Sequence, residues 1–458
     1  MPAKKRGTSF RSAEPPTIRK RPRRSSVQPD VEAKVRKLSD RPRSPATFKL
    51  EPLLLPLEQR ETGQVFTLGD NMTGQLGFDD DVESKRRPVP VEGLVDAVAV
   101  CCGGMHTVVL NKNGEVVTFG CNDDGALGRK TGDGFDPEYK PSKINLPGKA
   151  IQVTAGDSHT AILLEDGRVF ACGSFRDSSG LLGLTLSGNV KEETPVEIFR
   201  GQEIVKISSG DDHIVMLSVS GTVFTIGNGE QGQLGRVPER TATNKDSRHH
   251  KQQLLAPMPV NLHAHRRAST KIKCSEIWTG SWNTMCQSEA DGKIYVFGLN
   301  NYNHIGLTEI NNPQFLPVLS EVMSSKKWKK IAGGQHHTLC LDEEGKVYSF
   351  GRHDYGRLGL GKIEDTVKEP TLVGALAGVK CVDIVSGNTT SYAIAEGGKV
   401  YSWGMGSTQL GIGGEEPDDV DEPQLMQGKA LEKRFVLSVA AGGQHTALAA
   451  RDLPDNPA

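Results

Sequence analysis

The chain has 458 residues and a formal net charge of -1, but the charge is unevenly placed: residues 1–49 hold 6 Lys and 9 Arg against 2 Asp and 2 Glu, so they carry +11 and residues 50–458 carry -12. No apolar run approaches the ~18 residues of a membrane-spanning helix, and the basic, Pro-rich start does not fit a secretory signal. A soluble, intracellular protein with no membrane association is therefore expected.

The first 49 residues contain several prolines, few large apolar side chains and two basic clusters, Lys4, Lys5, Arg6 and Arg19, Lys20, Arg21, Arg23, Arg24. Such a segment cannot bury enough apolar surface to offset ordering, so disorder is expected over 1–49. The clusters suit a nuclear import signal, and equally phosphate contacts with DNA whose strength falls with salt.

From Val65 a strand-like unit recurs: VFTLG, VVTFG, VFACG, VFTIG, IYVFG, VYSFG and VYSWG, ending at Gly69, Gly120, Gly173, Gly227, Gly298, Gly351 and Gly404. The intervals are 51, 53, 54, 71, 53 and 53 residues. Before each of the last six strands lies a second unit such as CGGMHTVVLNKNGEV, whose Asn-Gly or Asp-Gly type dipeptide between apolar runs marks a tight hairpin. Short strands, Gly-rich turns and a period of about 52 residues predict an all-β fold, a seven-bladed β-propeller over 50–458. The first copy lacks a hairpin partner and the C-terminal AAGGQHTALAA lacks a following strand. Ring closure by pairing near Val65 with the strand near Thr446 follows, and it removes the exposed edges of an open array.

Most repeated residues then have structural work. The His of the G-x-x-H turn, at 106, 159, 213, 337 and 445, recurs in five of seven copies. Gly227, Gly229 and Gly232 match a dinucleotide fingerprint, but QLGRVPER follows them and does not open a helix, and one copy in seven carries the match. The eight cysteines include no C-x-x-C and read as reduced core residues. No metal or cofactor is expected.

Function is expected where one repeat departs from the rest. Gly173 to Gly183 spans ten positions against eight in most copies, which puts Phe175, Arg176, Asp177 and Ser178 in a longer loop, either a tolerated insertion or a projecting contact element. The 71-residue interval adds a basic loop containing Arg240, Lys245, Arg248 and Lys251, a candidate contact for an acidic partner or a solvated loop. GDSH and GDDH place Asp157, Asp211 and Asp212 at turns where other copies have other residues. Asp in a turn commonly caps backbone amides, yet these acids, Arg236 and the turn histidines belong to loops expected on one rim.

GSFRDSSG, EQGQLGRVPE, GGQHHT, YGRLGLG and SWGMGSTQLG, together with the seven repeats and basic tail, closely resemble the regulator of chromosome condensation family, chromatin-bound guanine-nucleotide exchange factors for the small GTPase Ran. The resemblance runs over residues 60–451 and implies a nuclear, chromatin-associated propeller that performs no covalent chemistry, so no catalytic residue is expected. One face would bind Ran through a β-wedge at Ser174–Leu182 and through Asp157, Asp212, Arg236, His337 and His445. The opposite face, the basic loop with Arg240 and Arg248, and the tail would meet an acidic histone patch and nucleosomal DNA. A nuclear import receptor would bind the tail. No role carries over to the first copy, where Asn71 and Met72 depart from the family pattern and Asp70 is displaced. A propeller scaffold without exchange activity is the second reading.

Overall fold

In a computed structural model the described residues are 49–50, 53–245, 250–263, 271–308, 312–406, 408–413 and 419–454. They form a seven-bladed β-propeller of four-stranded antiparallel sheets, with one additional two-stranded hairpin. Blades are numbered here by the order of the VFTLG-like strands. Blade two is representative: Ala97–Cys102, His106–Asn111, Val116–Gly120 and Ser142–Lys143. Its two middle strands are buried at every position, because each face of a blade packs on a neighbour. This explains near-continuous apolar runs where a half-exposed sheet would alternate. The core accordingly lies between blades: Val108, Leu110 and Val116 of blade two meet Val153, Ile162 and Leu164 of blade three.

Blade one closes the ring. Gln64–Asp70 pairs with His445–Asp452, Val65 opposite Ala449 and Leu68 opposite Thr446, so the chain ends are stapled in the register that the incomplete first and last copies imply.

A polar relay crosses between blades at the inner end of the second strands. The His445 Nε2 of blade one lies 2.9 Å from Thr107 Oγ1 of blade two, and that hydroxyl donates to the Gln75 carbonyl of blade one at 2.8 Å. His106 meets Thr160, which donates to Ala126 O. His213 meets Thr284, which donates to Gln233 O, and His337 meets Ser391, which donates to Arg357 O. Since each hydroxyl spends its proton on a carbonyl, its lone pair accepts the imidazole Nε2–H, which fixes the tautomer. Blade four has Ile214 where the others have Thr or Ser, and there His159 turns to Ser209 at 3.1 Å. Every one of these five rings is buried. The turn glycine is obligatory for a local reason: a Cβ on Gly334 would stand 2.3 Å from His337 Cε1, and one on Gly442 2.4 Å from His445 Cε1.

Residues 1–48 of the tail expected to be disordered, with Lys4, Lys5, Arg6 and Arg19 to Arg24, lie outside the described residues, as does Arg248. The basic insertion of blade four is not simply a loop. It holds two short helices, Glu239–Thr243 and His250–Leu255, whose Ala242, Leu254 and Leu255 are buried. All eight cysteines are free.

Replacing Thr160 by Val keeps the side-chain shape but leaves the His106 ring unpaired in a buried site and the Ala126 carbonyl with only the weak Cys172 thiol donor at 3.5 Å. Each unpaired group costs about 1–3 kcal/mol, so urea denaturation should show a loss of about 2 kcal/mol. An unchanged midpoint would refute the relay's contribution.

Candidate functional site at the channel mouth

One turn from each blade converges on the mouth of the central channel, a space of about 110 Å³ lined by Gly104, Gly156, Gly210, Gly280, Gly334, Gly387 and Gly443, with Asp157, Asp211, Ser281 and Asn388 among them. Small-molecule sites usually occupy about 300–1,000 Å³, so this mouth is a rim for contact rather than a nucleotide pocket. The fingerprint glycines serve the fold: Gly227 ends its strand with a φ of +124°, and a Cβ on Gly232 would meet Gln314 O at 2.5 Å.

The rim is acidic on the side of blades three and four. The Asp157 side chain keeps exposed area and Asp211 and Asp212 are half-buried, yet the surrounding turns displace much of their hydration. Burial raises the Asp157 carboxyl, with nearby Arg176 opposing and Asp124 adding to the rise. Burial lifts Asp211 to about 7, against a hydrogen bond from Ser281. Asp212 is lifted to about 8, chiefly by burial and further by Asp211 and Asp157, against the hydrogen bond it accepts from the Arg176 amide. Burial thus moves Asp211 and Asp212 into the neutral range, well above an ordinary carboxyl.

Beside it stands the ten-position loop, which is a hairpin of Phe175–Asp177 and Gly180–Gly183. Phe175 is its root, fully buried and edge-on to His159 with centroids 4.9 Å apart. Arg176 donates its backbone N–H to Asp212 Oδ1 at 2.6 Å and its guanidinium to Asp124 Oδ2 at 2.5 and 2.9 Å. Asp177 accepts from Ser179 N at 2.7 Å and meets Lys245 Nζ at 3.2 Å. Ser178 is exposed at the tip and bonds through both its N–H and its hydroxyl to Glu230.

The structure corrects two expectations. His337 and His445 have no exposed surface and hold blades together, so as placed they offer nothing to a partner. Burial takes His445 to about 3 and His337 well below its ordinary value, which keeps both rings neutral. Arg236 faces inward: Nε donates to Thr225 Oγ1, Nη1 to Gln253 O, and Nη2 to Thr225 O and Ala256 O. It braces the insertion against the strand Val223–Gly227, as Arg129, following the same Leu-Gly in blade two, braces the segment from Asp136 to Lys140. The basic insertion also reaches the hairpin. Leu254 and Leu255 share one apolar cluster with Phe175 and Leu182, Lys245 reaches Ser178, and Lys251 Nζ donates to Leu182 O at 2.9 Å. Arg240 stands exposed on the first short helix.

A residue that the sequence pattern did not single out lies next to one that it did. His336 is half-buried, its ring 5.6 Å from Trp282 and 5.0 Å from Tyr302, and burial helped by Arg357 and Arg352 lowers it to about 4. The signal was the frame: four other turns have their buried His three positions after the Gly, which assigns His337 to the fold and leaves His336 as the departure. In blade one Asn71 is a loop clamp, its Nδ2 bonded to the carbonyls of Phe78, Asp79 and Val82. Among the described residues no helix is long and apolar enough to cross a membrane, and no His, Cys, Asp and Glu side chains group as a metal site would require.

A model of the RCC1-like domain matches residues 64–448. The regulator of chromosome condensation of Xenopus laevis is 46% identical over 391 residues, covering 85% of this chain and 90% of that protein. The guanine nucleotide exchange factor SRM1 of Saccharomyces cerevisiae is 30% identical over 451 residues, covering 87% of each. The yeast protein Prp20 superposes in two crystal structures, each 27% identical. One, bound to Kap60, has a TM-score of 0.78 over 93% of this chain and 97% of that one. The other, reported with its binding to Gsp1p and histones, has a TM-score of 0.75 over 89% and 94%.

The buried groups make stability depend on pH in a defined sense. The relay histidines, lowered from 6.5 to about 4 for His106 and about 3 for His159, His213 and His445, bind protons in the unfolded chain first. Their contribution is present above about pH 6.5 and is lost as pH falls toward 3. Asp211 and Asp212 act oppositely, adding stability as pH falls from about 8 toward 4. Urea midpoints should therefore vary little between pH 8 and 6.5 and drop below it, where the histidines outnumber the acids. A midpoint that held steady down to pH 4.5 would contradict the assignment.

Proposed function

The chain belongs to the regulator of chromosome condensation family, and on that premise we propose that it is a guanine-nucleotide exchange factor for the small GTPase Ran that works while held on chromatin. The observation that carries this reading is the hairpin projecting beside an acidic channel mouth, the place where one blade departs from the repeat. A relative of similar length bears the name of a guanine nucleotide exchange factor, and a structural relative binds Gsp1p and histones.

Exchange of this kind requires no nucleophile or general base. A factor that binds the nucleotide-free GTPase more tightly than the loaded form must, by linkage, weaken nucleotide binding by the same ratio. The hairpin, rooted by Phe175 and carrying Arg176 and Ser178 outward while Asp177 is tied back to Lys245, disturbs the phosphate-binding region of the GTPase. Asp157 and Asp212, drawn to the ionised form as basic groups of the GTPase approach, pair with them, and His336 with Trp282 and Tyr302 supplies an aromatic contact on the same rim. Arg236, His337 and His445 serve this surface from beneath.

Chromatin contact falls to the exposed Arg240, to Arg248 and to the tail, facing an acidic histone patch and nucleosomal DNA. The clusters at Lys4 to Arg6 and Arg19 to Arg24 also serve a nuclear import receptor, so the protein acts in the nucleus. A bare scaffold would share the ring but has no use for a hairpin anchored at this many points.

Release of a fluorescent GDP from Ran should be accelerated at least about a hundredfold by the wild-type protein, and Asp212→Ala should lose most of that gain, since a charged interfacial pair contributes about 2–5 kcal/mol when one partner is removed. Absence of acceleration would refute the function; full activity of Asp212→Ala would refute its role. Removing residues 1–49 should weaken nucleosome binding and flatten its dependence on salt, because every phosphate that the protein no longer neutralises lowers the log–log slope by about 0.9. An unchanged slope would exclude the tail from DNA binding.

A further inference from the structure

We infer that Asp124 and Glu230 are positioning residues for the exchange hairpin, clamping it from the blades on either side. This rests on the exchange reading of the hairpin given above. Neither residue belongs to the hairpin's own blade: Asp124 lies in the loop after Gly120 of blade two, and Glu230 in the loop after Gly227 of blade four.

The geometry is that of a vice. On one side the Asp124 carboxylate, itself nearly buried, takes both Nε and Nη2 of Arg176. On the other, Glu230 takes the Ser178 N–H at 2.9 Å and its hydroxyl at 2.7 Å, while Asn228 Nδ2 donates to Arg176 O at 2.9 Å. Lys245 locks the second jaw, 3.1 Å from Glu230 and 3.2 Å from Asp177. A three-residue strand paired with a four-residue one has too little ladder to fix its own direction. Without the jaws the tip would sample many orientations, and each productive encounter would have to order it.

A wedge acts after docking, when it must enter the nucleotide region of the bound GTPase. Preorganisation of its tip therefore bears on the maximal release rate more than on encounter, since small misplacements of a reacting element are expensive. A carboxylate that merely filled space would leave this split untouched.

The test uses full-length protein with Asp124→Asn, Glu230→Gln, the double variant and Asp124→Glu. We expect the double variant to keep the wild-type Tm, to exchange hairpin amides over 176–182 at least about tenfold faster, and to lower the kcat of GDP release about tenfold or more with KM changed less than about twofold. Asp124→Glu, which keeps the charge, should recover much of the rate. Hairpin amides that stay protected in the double variant would overturn the clamp. Amides that loosen with kcat unchanged would overturn its role in exchange. Wild-type protein that fails to accelerate release would instead refute the exchange reading on which the role depends.

Discussion

The ring depends on a hydroxyl that serves two blades at once. At most junctions a Thr or Ser at the inner end of one blade donates to a loop carbonyl of the blade before it and, at four of them, accepts from that blade's buried histidine, as Thr107 does between Gln75 O and His445. These groups lie where no water competes, so each unmade bond would carry its full desolvation cost. The relay explains why the turn begins with Gly and why the imidazoles stay neutral. It also fixes how far apart adjacent blades stand at the channel, and the channel mouth is built from the same turns.

On that mouth the repeated and the singular residues divide the labour. Glycine and histidine set the turn; the residues between them are free to vary, and in blades three and four they became Asp157, Asp211 and Asp212. Three carboxyls raised by burial in one rim are costly for the fold alone. They lie beside the hairpin, where one of them already holds the Arg176 amide. The insertion of blade four completes the arrangement from the outside, its Leu254 and Leu255 under the hairpin and its Lys245 at the tip.

Blade number, ring closure and the position of the hairpin were all legible in the sequence, because a fixed period makes any departure visible by counting. The direction of a side chain was not. His336 and His337 are adjacent, and the resemblance drew attention to the second, whereas His337 opens a strand buried at every position and His336, in the turn before it, stays half-buried. Arg236 misled for a related reason: in isolation it is a basic residue next to a functional loop, but its counterpart Arg129 shows that the position is a carbonyl brace. The link between insertion and hairpin was invisible, since Lys245 and Ser178 are 67 residues apart and only the packing of blade three on blade four brings them together.

The central claim is that the partner GTPase docks on the rim carrying the hairpin and the acidic turns. Hydrogen exchange across the full chain, with and without nucleotide-free Ran, tests it most directly. Protection should concentrate on residues 175–183 and on the turns at 156–158 and 210–212. Protection confined to the outer strands Ser84–Pro90, Val367–Leu372 and Val420–Leu425, with the hairpin amides unchanged, would contradict it.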